Sequence, residues 1–116
     1  MNEPDIKTAI PKRRYRLGEF TVVILGEVES GGGVDYGYIT AVVREGDPKP
    51  GIYITAERDS RDARAGELAL RLIMRDGEQM IGTLAQGAGI ERFADESLRL
   101  ISTILNLSDE QPYRLM

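Results

Sequence analysis

The sequence predicts an α+β domain: a five-stranded antiparallel β-meander, strongly curved or rolled into a partial barrel, packed against one C-terminal α-helix. Three observations carry that reading. From Tyr15 to Ala85 apolar residues recur largely with the period of two that alternates side chains across a sheet. Glycine- and proline-rich turns cut that stretch into hairpin-sized pieces. After Gly89 the spacing changes to three and four, which gathers apolar residues on one helical face.

The opening residues contain Pro4 and Pro11 and lack apolar periodicity, so residues 1–13 are expected to form an irregular basic arm, dispensable for folding, ahead of a single domain spanning 14–108. The segment YRLGEFTVVILGEV, Tyr15 to Val28, is rich in β-branched and aromatic residues and apolar on both sides at its centre, as a long central strand is. ESGGGVD is a turn, and YGYITAVVRE resumes the strand pattern to complete a hairpin. GDPKPG cannot continue a strand because its prolines lack an amide donor, so GIYITAE begins a third. The charged connector RDSRDARAG leads to ELALRLIM, where a helix competes with a strand; the alternation of Leu68, Leu70, Leu72 and Met74 and the following Asp76-Gly77 favour the strand. QMIGTLA supplies the fifth. In IERFADESLRLISTILNL, Ile90, Phe93, Ala94, Leu98, Ile101, Ile104 and Leu105 share one face of a helix over 90–106, and residues 109–116 are read as a polar tail.

Hairpin closure around GDPKPG pairs Glu45 with Ile52, Val43 with Ile54 and Ala41 with Ala56. That register places Ile39, Ala41, Val43, Ile52, Ile54 and Ala56 beneath the helix. Tyr36, Tyr38, Thr40, Val42, Arg44, Tyr53, Thr55 and Glu57 fall on the other face. The Asp-Gly hairpin, read as pairing Leu72 with Ile81, turns Leu68, Leu70, Leu72, Met74 and Ile81 inward and Arg71, Ile73, Arg75 and Met80 outward. For the first strand, Phe20, Val22, Ile24 and Val28 are assigned to the core, leaving Leu17, Val23 and Leu25 outside. A helix of roughly 17 residues is about 25 Å long and covers one sheet face. The uncovered face, marked by Tyr36, Tyr38, Arg44, Tyr53, Arg71 and Arg75, is therefore the candidate interaction face, since Tyr and Arg are enriched where proteins meet partners. It could fill a partial barrel's own interior, pair two copies, or form a ligand groove.

Composition narrows the chemistry. With no histidine and no cysteine, the chain lacks the usual near-neutral proton-transfer group, the thiolate nucleophile and any Cys-ligated metal site. No catalytic, cofactor-binding or metal-ligating residues are assigned, and no cofactor is expected. The net charge of -4 argues against a nucleic-acid partner, which needs clustered Lys and Arg. The basic arm of Lys7, Lys12, Arg13, Arg14 and Arg16 is too small to reverse that. No apolar run approaches the roughly 20 residues that span a bilayer, and no secretory leader is legible, so a cytoplasmic location without membrane partners is expected.

Other patterns weigh less. Gly31 to Gly33 precede no helix and are a hairpin tip rather than a phosphate loop. GTLAQGAG does precede a helix but has no further anion-binding signature. Arg58, Arg61 and Arg64 alternate with Asp59 and Asp62, which implies mutual pairing. Glu19, Glu27 and Glu57 could serve a carboxylate-dependent hydrolase only if two of them converge. The expected function is non-enzymatic: self-association as a homodimer, or binding of a protein partner, through the Tyr/Arg face. The alternative is a small-molecule binding module using that face as a concave pocket.

Overall fold

A computed structural model describes residues 3–58, 61 and 63–116. The chain forms β1 (Ile6–Leu17), β2 (Phe20–Ser30), β3 (Tyr36–Arg44), β4 (Ile52–Glu57), β5 (Glu67–Met74), β6 (Gly77–Ala85), α1 (Gly89–Ile104) and β7 (Tyr113–Arg114). The sheet is antiparallel, with strand order β6-β5-β4-β3-β2-β1-β7, so the α+β class holds but the strands number seven and not five. It is an open sheet, with β6 and β7 at its two edges.

The stretch Tyr15–Val28, read as one strand, breaks at the Gly18–Glu19 turn, where Gly18 has φ +57, and the rest of β1 and all of β7 lie where irregular ends were expected. Residues 6–13, read from sequence as part of a loose arm, pair with β2 in the first half of β1. Pro11 is tolerated because its other flank is a sheet edge, where a missing amide leaves no ladder bond unmade. Bulges at Lys7 and Lys12 break the alternation that would have announced a strand. The bases there find acids: Lys12 pairs with Glu27, Arg13 with Glu91 at 2.6 Å and Arg16 with Glu45 at 2.8 Å. At the other end β7 adds to β1, pairing Tyr15 with Arg114 and Arg16 with Tyr113. The Leu115 amide extends the ladder by donating to the Arg14 carbonyl at 2.7 Å.

The β3–β4 register also differs from the sequence reading. Val42, not Glu45, faces Ile52, and Thr40 faces Ile54. The loop is longer because Val43 and Arg44 stay paired to β2 through Thr21 and Phe20, while Pro48 and Pro50 can give no ladder bond near β4. A slip of three is odd, so it exchanges the faces of β3. Thr40 and Val42 therefore lie beneath α1, and Ile39, Ala41 and Val43 on the opposite face. In the β5–β6 hairpin Leu72 faces Gln79 rather than Ile81, an even slip that leaves the faces as expected.

Both faces are consequently buried. On the helix side Leu17, Val22, Ile24, Val42, Ile54, Leu70, Phe93 and Ile101 form the main core, with Leu17 inside it rather than outside. Burying such side chains stabilises the fold by about 1.5–3 kcal/mol each. On the other side Tyr36, Ile39, Ala41, Tyr53 and Ile73 form a second cluster, covered by Ile6, Leu25 and Val28. Val28 reaches it because a bulge at Glu27, with φ +48, resets the alternation of β2. The helix begins one residue earlier than its apolar spacing indicated and ends at Ile104, and Phe93, Ala94, Ser97 and Ile101 form its buried seam.

Candidate functional site

The Tyr/Arg face assembled from sequence is divided by the fold. Gly37 is an extra residue in β3 opposite β4, between the pairs Tyr36–Glu57 and Tyr38–Ala56. This bulge sends Tyr36 to one side of the sheet and Tyr38 to the other. Tyr38 stacks on Phe93 of α1, ring centroids 5.3 Å apart. Arg44, at the end of β3, is exposed and pairs with Glu19 at 2.9 Å. Arg75, in the tight β5–β6 turn, lines a separate cavity of about 530 Å³ with Glu3, Asp47, Pro48, Lys49 and Gly51. Tyr36, Tyr53 and Arg71 remain together on the face away from the helix.

There a cavity of about 470 Å³ opens, with Tyr36, Ile73, Glu57 and Arg71 as its floor and Glu3, Asp5, Gly32, Val34 and Glu78 around its rim. The floor is built by register. β4 and β5 align Thr55 with Arg71 and Tyr53 with Ile73, while Tyr36 lies opposite Glu57. Arg71 Nε donates to Glu57 Oε2 at 2.8 Å, and the two side chains are only 19% and 14% exposed. The rim is brought in by the hairpin tip, where the Gly31 amide donates to the Asp5 carbonyl at 3.0 Å. A β-carbon at Gly31 would stand 2.8 Å from an Asp5 carboxylate oxygen, so glycine allows that approach.

Two features set the cavity's electrostatics. Tyr36 as a whole is 8% exposed, and its hydroxyl, which no described residue hydrogen-bonds, is the part that reaches solvent. Burial pushes this phenol up from its ordinary value, and the carboxylates of Glu57, Glu78 and Asp5 push the same way against Arg71. All four of those charged residues line the cavity with Tyr36. The phenol is therefore neutral at pH 7 and able both to donate and to accept. Tyr53 is likewise held up by burial and then by Glu3. The second feature is an excess of acid. Glu57 is matched by Arg71, but no described residue pairs with the carboxylates of Glu3, Asp5 or Glu78.

The other candidates resolve differently. Glu19, Glu27 and Glu57 each hold a separate cation, Arg44, Lys12 and Arg71, so no two of them converge as a hydrolytic pair. Arg58 pairs with Asp35 at 2.8 Å, whereas Asp59 and Asp62 lie outside the described residues. The glycines before α1 include a short 3₁₀ turn, Gln86–Ala88, and the first helical turn carries Glu91, held by Arg13. Among the described residues no three acidic side chains converge closely enough to hold a metal ion. No described helix is long and apolar enough to cross a membrane. Sequence reasoning missed Glu3, Asp5, Val34 and Glu78, which come from distant segments and meet only in the folded sheet. No protein family, curated protein or solved structure matches this chain.

Proposed function

We propose that this chain is a non-enzymatic small-molecule binding module whose site is the cavity floored by Tyr36, Ile73, Glu57 and Arg71. The observation that carries the reading is the cavity of about 470 Å³ itself, where the apolar Ile73 and Val34 stand beside Tyr36 and the fixed Arg71–Glu57 pair. A cavity of this size, with an apolar wall and a few fixed polar groups, has the form of a small-ligand site.

The same observations weigh against a flat protein-binding face. Tyr38 is committed to the helix, Arg44 to Glu19, and Tyr36 and Tyr53 are each 8% exposed and offer little surface to a partner. Titration with a diverse small-molecule fragment library, followed by amide chemical shifts, tests the reading. Shifts clustered at Tyr36, Glu57, Arg71 and Ile73 are expected. A library without a single hit at those residues, in a protein that instead sediments as a dimer, would return the face to self-association.

A further inference from the structure

We infer that β6 is a self-pairing edge: two copies of this chain join through their β6 strands, antiparallel about a two-fold axis, into one continuous sheet. This stands apart from the cavity and holds whether or not that cavity takes a ligand. The two edges of the sheet are built differently. The β1–β7 edge carries Pro11, bulges at Lys7 and Lys12, the bases Arg13, Arg14 and Arg16, and a terminal strand of two residues. All of these are devices that keep other strands away. The β6 edge has nine residues, no proline and no base, and its single charge, Glu78, stands next to the turn. From Gln79 to Ala85 the strand is uncharged, and Gln79, Met80, Thr83 and Ala85 are exposed. Among the described strands only β5 lies beside it.

An irregularity in β6 selects the partner. Ile81 is an extra residue opposite β5, between the pairs Leu70–Gly82 and Arg71–Met80. The Gln86 amide donates to the Gly66 carbonyl at 2.9 Å, so the alternation of an antiparallel ladder turns the amides and carbonyls of Ala85 and Thr83 outward. From the turn closed by Met74 and Gly77, the same alternation turns those of Glu78 and Met80 outward. The outward groups are therefore two residues apart within each half of β6 and three apart across Ile81. A regular strand, with a spacing of two throughout, pairs with one half and falls out of step with the other. A second β6 carries the same extra residue at the same place. In the register that sets Met80 opposite Thr83 and Glu78 opposite Ala85 of the second copy, every outward group meets an outward group. That register also keeps the two Glu78 carboxylates roughly 20 Å apart along the strands, so like charges do not oppose each other. A two-fold axis makes the contact from one surface and closes it at two copies.

Sedimentation of the full chain over a dilution series tests the pairing. A dimer is expected at high concentration that dissociates on dilution, since one strand pair is a small interface. Thr83→Pro removes an outward amide and no bond to β5, and a sheet edge tolerates proline at such a position. Symmetry deletes two hydrogen bonds between the copies at once, so the dissociation constant should rise about tenfold or more while the diluted monomer keeps its unfolding midpoint. Because the chain has no cysteine, Glu78→Cys combined with Ala85→Cys gives an independent readout. The two positions are too far apart to bridge within one copy and directly opposed between copies, so oxidation should yield a covalent dimer. A chain that is monomeric at every concentration and does not cross-link would overturn the inference. A dimer that is indifferent to Thr83→Pro and does not cross-link would also overturn it, and would place the contact on another face, such as that of Tyr36 and Tyr53. Should Thr83→Pro fail to fold, the cysteine pair decides, cross-linking upholding the β6 contact and its absence removing it.

Discussion

The Thr40 hydroxyl donates a 2.8 Å hydrogen bond to Ser97 Oγ across the β3–α1 interface, both residues being essentially without solvent exposure. The link joins the helix to the face of β3 that the β3–β4 register turns toward it. Removing only the donor, in Thr40→Val, leaves the Ser97 hydroxyl enclosed without its partner and should cost about 1–3 kcal/mol in chemical denaturation. The double variant Thr40→Val with Ser97→Ala should recover part of that loss. A strictly additive cycle would show that the pair is not coupled.

Ile101 and Ile39 are both fully buried, on opposite sides of the sheet. Truncating either to alanine should lower stability by about 2–5 kcal/mol. Equal sensitivity on both sides is the signature of a sheet with two cores. If Ile39→Ala costs less than half of Ile101→Ala, the second cluster is only a lightly packed surface.

Tyr38→Glu should destabilise the fold instead of altering an association state. The substitution would set a carboxylate against Phe93 in place of a stacked ring. Circular dichroism and sedimentation on the same sample discriminate: loss of the cooperative transition is expected, and a well-folded monomer derived from a wild-type dimer would contradict the placement of Tyr38.

Deleting residues 1–12 should lower the unfolding midpoint substantially, because it removes the first half of β1 and the Ile6 side chain that covers the second core. Deleting 113–116 should cost less, since it removes a two-residue strand whose side chains are exposed. An N-terminal deletion without effect would mean that β2 serves as an edge unaided.

Tyr36 and Tyr53 give a pH dependence on the alkaline side. Their phenols are held above the ordinary value, by burial first and then by Glu57 and Glu78 for Tyr36 and by Glu3 for Tyr53. The folded state thus keeps protons that the unfolded chain releases near pH 10. Their contribution is fully present below about pH 10 and is lost as pH rises through the folded values. Denaturant midpoints measured across the alkaline range should fall, and Tyr36→Phe and Tyr53→Phe should each flatten the decline. A slope identical to wild type in both variants would place the cause in other groups.

What the sequence made legible follows from where local pattern and tertiary pairing agree. The helix was readable because Phe93, Ala94, Leu98 and Ile101 obey one period and tertiary packing uses that same face, to which Ser97 adds a polar member. Strand β5 was readable for the same reason, with Leu68, Leu70 and Leu72 alternating onto the core. Bulges defeat such reasoning. One extra residue at Gly37 separates Tyr36 from Tyr38, and another at Glu27 moves Val28 to the opposite side, with no change in composition to announce either. The GDPKPG loop hid a slip of three because prolines mark where pairing cannot occur but not how far before them it stops. Strand β1 was hidden by Pro11 and its basic residues, which belong to an edge. Of the cavity, Tyr36, Arg71, Glu57 and neighbouring Tyr53 were singled out, and Ile73 was assigned to the same side. Its acidic rim joins residues 3 and 5 to residue 78, a proximity that no local window contains.

The pairing of β1 with β7 has a consequence for the order in which the molecule assembles. Arg14 and Leu115 are joined by a backbone hydrogen bond of 2.7 Å although nearly the whole chain lies between them. Closing so large a loop costs entropy that two paired residues return poorly, whereas the hairpins from β2 to β6 join near neighbours in sequence. The meander and its helix therefore form first, and the β7 clasp last. Until residues 113–116 dock, the outer rim of β1 at Tyr15 and Arg16 stays uncovered, a transient exposure that an antiparallel edge turns into an opportunity for misassociation with neighbouring chains.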